Sequence, residues 1–97
     1  MISEPMRSDL SDEQIKAEIM DKLLRRNCWG AKYLPLDTMV NWMGKQIMRN
    51  GKRVARMVKE LAREGFLVLH KGNTTASLNP RMKREIEEYI ERNLKDQ

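Results

Sequence analysis

Lys52, Arg56, Lys59 and Arg63 recur every three or four residues, a spacing that gathers side chains on one face of a helix. Arg53 lies on the flank of that row. Cations in such a line suit phosphate, arginine as a planar fork of donors and lysine as a compact point charge. Lys45 and Arg49 precede the row, and His70 and Lys71 follow it, completing the candidate binding set. From Gly44 to Gly65, seven basic residues stand against two acidic ones, while Met1 to Asp21 holds two basic against six acidic. The middle of the chain thus accounts for the net charge of +5. A basic patch implies a polyanionic partner, nucleic acid foremost. The plainer alternative is a solvated face rich in lysine.

Lys52 and Arg53 would sit in the first turn of such a helix and Arg56 in the second, opposing the helix dipole by roughly 0.3–1 kcal/mol each. An external phosphate would reverse that cost by pairing with the cations and with the free N–H groups there. Other chemistries find less support. One cysteine (Cys28) and one histidine (His70) make no metal constellation and, with no orienting third group, no nucleophile–base pair. Asn50-Gly51-Lys52 is too short for a phosphate-binding glycine loop. Trp29 and Tyr33 could stack bases, but they lie outside the basic cluster and fit better as cover for the core edge. No enzyme activity and no cofactor are expected.

The cationic row needs an apolar stripe behind it. Val54, Met57, Val58 and Leu61 supply one at helical spacing over about 51–64. Gly65 ends that helix as a residue able to turn left-handed. Phe66-Leu67-Val68-Leu69-His70 and Thr75-Ala76-Ser77-Leu78 are β-prone runs, with Gly72-Asn73 between them as a two-residue turn. In that register Leu69 faces Ala76 and Leu67 faces Leu78, so the apolar residues share one side.

A basic amphipathic helix, a glycine and a hairpin with one apolar face resemble the recognition helix and wing of winged helix-turn-helix proteins. Gly65-Phe66-Leu67 is similar to the helix-to-wing junction of small MarR-like and ArsR-like prokaryotic regulators. The resemblance spans roughly residues 11 to 94. It implies a mainly α fold with a small β-hairpin: helix 1, a short strand, helix 2, helix 3, the wing over 66–78, and a C-terminal helix 4. It also implies double-stranded DNA as partner, bound sequence-specifically or generally, with helix 3 in the major groove. Arg53 and Arg56 would then face base edges, Lys45, Arg49, Lys52, Lys59 and Arg63 phosphates, and His70 and Lys71 the minor groove or its backbone. A transcriptional regulator is the role implied, as a possible homodimer through helices 1 and 4. An RNA-binding winged helix and a module docking on an acidic protein are the alternatives.

The remaining elements follow from local signals. Residues 1–10 form a tail, and 11–97 a single domain. Helix 1 starts at a capping box, Ser11 with Gln14, and Leu10 and Ile15 have the spacing of a hydrophobic staple. Its stripe is Ile15, Ile19, Met20, Leu23 and Leu24, and it fades near Arg26-Asn27. Tyr33-Leu34 is a candidate short strand, and Asp37 a cap for helix 2. Helix 2 runs either from Thr38 to Met48 with an Asn50-Gly51 turn, or stops at Met43 before one long helix from Lys45 to Glu64. The first reading follows the stronger turn signal. Asn79-Pro80 opens helix 4 over 80–95, with opposite charges one turn apart at Lys83/Glu87, Arg84/Glu88, Glu88/Arg92 and Glu91/Lys95. No run of about 18 apolar residues could span a membrane. The N-terminus lacks signal-peptide features and a lone cysteine fits a reducing compartment, so the cytoplasm is expected.

Overall fold

The computed structural model describes residues 11–38, 51–72 and 74–94. They form a mainly helical fold with a small three-stranded antiparallel sheet. Helix α1 covers Asp12–Arg25, β1 Leu34–Pro35, α2 Gly51–Arg63, β2 Leu67–His70, β3 Thr75–Leu78 and α3 Lys83–Leu94. Residues 36–38 are also helical. Both readings of the boundary between helices 2 and 3 fall on residues 39–50, outside the described residues, as does the staple residue Leu10. No helix among the described residues is long and apolar enough to cross a membrane.

The capping box at α1 is formed in both directions: Gln14 N–H donates to Ser11 Oγ at 3.1 Å, and Ser11 N–H to Gln14 Oε1 at 3.0 Å. α1 and α2 end alike. Cys28 N–H reaches Leu23 O and Asn27 N–H reaches Leu24 O, with Asn27 at φ 56. Phe66 N–H reaches Leu61 O and Gly65 N–H reaches Ala62 O, with Gly65 at φ 92. Both are Schellman closures, which satisfy carbonyls left over at a helix end. A Cβ placed on Gly65 would meet nothing within 4 Å. Gly65→Ala is therefore expected to cost about 1–2 kcal/mol through backbone conformation alone. Urea unfolding checks it: the midpoint should fall with an unchanged slope, and an unmoved midpoint would deny Gly65 that role.

The core is one cluster. α1 gives Ile15, Ile19, Met20 and Leu23, α2 gives Val54, Met57, Val58 and Leu61, the hairpin gives Leu67, Ala76 and Leu78, and α3 gives Ile86. Each large aliphatic side chain removed from water adds about 1.5–3 kcal/mol. The predicted stripes of α1 and α2 thus meet each other and the hairpin's apolar face. Leu67 pairs with Leu78 and Leu69 with Ala76, the register that alternation implied.

Several local expectations need correction. Strand pairing stops at His70–Thr75, so four residues separate the last paired positions instead of two. Lys71 and Gly72 both carry positive φ there. The short strand is Leu34–Pro35 instead of Tyr33-Leu34, and it pairs with β3. β1 lies on a sheet edge, where proline's missing N–H breaks no ladder. Asp37 is helical, not a cap. Leu36 begins that segment, and its N–H donates to Thr74 O at 2.9 Å, so the sheet satisfies a group a cap would have served. Asn79 does cap, accepting from Arg81 N–H, but Pro80–Met82 is a 3₁₀ turn before α3. Lys83/Glu87, Arg84/Glu88 and Glu88/Arg92 form no ion pair among the described residues, and Glu91/Lys95 involves Lys95, which lies outside them. Arg92 instead lies over the Tyr89 ring, 5.6 Å from its centroid.

Candidate nucleic-acid interface

α2 buries Val54, Met57, Val58 and Leu61, and it exposes Lys52, Arg56, Lys59 and Arg63. At about 1.5 Å rise per residue the four cations extend over roughly 16 Å. Glu60, its one acid, and Glu64, just past its last residue, are drawn the other way. Lys16 Nζ on α1 lies 3.1 Å from Glu60 Oε1 and 3.0 Å from Glu64 Oε2. The Lys16 side chain is only 9% exposed. An ammonium so placed needs charged partners, because hydration has been lost. The outward face of α2 is therefore almost purely cationic, although Glu60 lies on the helix and Glu64 just beyond it.

Burial works against the charged form of Lys16, but the hydrogen bonds to Glu64 and then Glu60 outweigh it, and its pKa stands above the ordinary 10.5. A group raised on folding adds stability that is complete below its unfolded pKa and is lost as pH rises through the folded one. Above pH 10.5 the wild-type protein should thus lose stability faster than Lys16→Met, in denaturant melts taken at successive alkaline pH values. Parallel curves for the two proteins would deny the cluster any share in folding.

Arg53 stands apart from the row. Its Nη2 donates to Asp12 Oδ1 at 2.8 Å and its Nε to the same oxygen at 3.2 Å. The hydrogen bond from Arg53 chiefly holds the Asp12 carboxyl below its usual value, against the pull of lost hydration. Arg53 is thus spent at least partly on tying α2 to the first turn of α1. The sequence could not show this, since the partners lie 41 residues apart.

At the hairpin, His70 and Lys71 behave differently. Ser77 Oγ donates to Gly30 O at 2.7 Å, which commits its only proton. The 3.2 Å contact between His70 Nε2 and Ser77 Oγ must then be a donation from His70. The imidazole also stacks on Tyr33 at 4.7 Å between centroids. His70 therefore braces the sheet, in contrast to the expectation that it reaches outward. Lys71 is exposed, its Nζ 5.3 Å from the Tyr33 centroid. Trp29 packs against the core, as core-edge cover should. Lys45 and Arg49 lie outside the described residues.

The structure thus brings Lys52, Arg56, Lys59 and Arg63 onto one face and leaves Arg53 and His70 partly engaged elsewhere. Cys28 is buried, and that burial pushes its thiol above its ordinary pKa, which disfavours the reactive thiolate. Among the described residues no group of His, Cys, Asp or Glu could hold a metal ion. An open groove of about 460 Å³ runs between α1 and α3, with Ile90 and Leu94 on its lining beside Glu18, Lys22, Arg25 and Glu91. Comparison with protein-family models, curated proteins and solved structures finds no match to this chain.

Proposed function

We propose that this chain is a winged helix-turn-helix domain that binds double-stranded DNA, with α2 as recognition helix and the β2–β3 hairpin as wing. The order helix, short strand, helical segment, helix, hairpin, helix supports that reading, as does the β1-β3-β2 sheet order. The observation that carries it is the sorting of charge on α2: Lys52, Arg56, Lys59 and Arg63 outward, Glu60 and Glu64 drawn to Lys16. Such a face gains affinity by releasing counterions from phosphates. Regulation of transcription is the role proposed for it. The groove between α1 and α3, with the apolar Ile90 and Leu94 on its lining, is the surface offered for a homodimer.

A binding assay titrated with salt tests the reading, using duplex DNA, duplex RNA and poly-glutamate. If four cations meet phosphates, log affinity for DNA should fall with log salt at a slope of about −3.6. That amounts to about a hundredfold loss between 50 and 200 mM. A flat salt response, or tighter binding to RNA or to the acidic polypeptide, would count against it.

A further inference from the structure

We infer that α2 follows the phosphate backbone and does not read bases, so that the protein takes duplex DNA with little regard to sequence. This rests on the DNA-binding reading above. Base recognition in the major groove needs particular groups: Asn or Gln for adenine, an acidic acceptor for cytosine, arginine or lysine for guanine, and Ser or Thr as adaptable partners. The helix Gly-Lys-Arg-Val-Ala-Arg-Met-Val-Lys-Glu-Leu-Ala-Arg has no Asn, Gln, Ser or Thr. Its one acid, Glu60, is engaged by Lys16, as is Glu64 just past its end.

Arginine forks remain to be considered. Base contacts come mainly from the N-terminal part of a recognition helix. Arg53 holds that position, but its Nε and Nη2 both point at Asp12 Oδ1, so that edge of the guanidinium is spent. Arg56 and Arg63 are exposed, yet they alternate with Lys52 and Lys59 in a single row. Lysine carries no fork and acts as a point charge, which suits phosphate. The hairpin adds the exposed Lys71, while His70 gives its Nε2 proton to Ser77. Phosphate contacts fix position without carrying sequence information. Ala55, half-buried, lies outside the core cluster, and only a thymine methyl could engage it specifically.

Three duplexes of equal length test this: A·T only, G·C only and mixed. Dissociation constants are measured by fluorescence anisotropy at one salt concentration for the wild type, Arg56→Lys and Arg63→Lys. Reading even one base is worth at least about fivefold in affinity. The expected result is that all three duplexes agree within about fivefold for all three proteins, since lysine keeps the charge and loses only the fork. A wider preference for any duplex would overturn the inference. So would an Arg-to-Lys change that weakens binding to the G·C duplex alone. Failure to bind any of the three would instead sink the DNA-binding reading itself, which separates the two claims.

Discussion

Replacing Arg56 and Lys59 together by alanine is expected to weaken duplex DNA binding about sixtyfold at 0.1 M salt. Each lost phosphate contact removes about 0.9 from the log–log salt slope, and at this salt that is about eightfold in affinity. Two contacts therefore multiply to about sixtyfold, and the slope should become shallower by about 1.8. Both side chains are exposed, so little packing is lost, and alanine is the best helix former. Thermal melts should accordingly stay close to wild type, which separates lost contact from lost fold. Affinity within about threefold of wild type would remove this face of α2 from the interface.

Leu61→Ala has the largest effect on the fold, an expected loss of about 3 kcal/mol in unfolding free energy. Leu61 is fully buried, and it belongs to the cluster that joins α1, α2, the hairpin and α3. Its carbonyl also receives Phe66 N–H, where the helix turns into β2. The change leaves that backbone bond intact but opens a cavity where four elements meet. A domain of this size has roughly 5–15 kcal/mol of stability in all. The midpoint should fall by about 12–24 °C in melts followed by circular dichroism. Leu94→Ala, at a half-buried position, should cost clearly less. Equal losses at the two sites would show that the cluster is not the seat of stability.

Local rules made some of this structure readable. The Ser11–Gln14 box, the stop at Gly65 and the start at Asn79 each depend on neighbours a few residues away. The hairpin register was legible because one shift would have turned Leu67, Leu69, Ala76 and Leu78 away from the core. What escaped depends on long-range pairing. Lys16 reads as a polar interruption of the α1 stripe, and only the approach of α2, 48 residues away at Glu64, makes it a buried anchor. Arg53, on the flank of the row, shared with Arg56 the base-edge role that the resemblance implied, yet Asp12 of α1 sorts them. His70 reads locally as a side chain of the wing tip, and nothing nearby in the sequence marks Ser77 as its partner. Lys83/Glu87, Arg84/Glu88 and Glu88/Arg92 stay unpaired with each other for the opposite reason: exposed pairs gain too little to fix long side chains.

The burial of Cys28 has a practical consequence. It is the chain's single thiol, and it lies 1% exposed among core side chains, just after the turn that closes α1. An alkylating reagent can reach it only when that region opens, so the labelling rate at neutral pH reports how often it does. A DNA ligand that grips α2 would slow the reaction without touching the sulfur, because any partner of the native state makes opening rarer. The molecule thus carries its own clock for occupancy, readable by mass without an added probe.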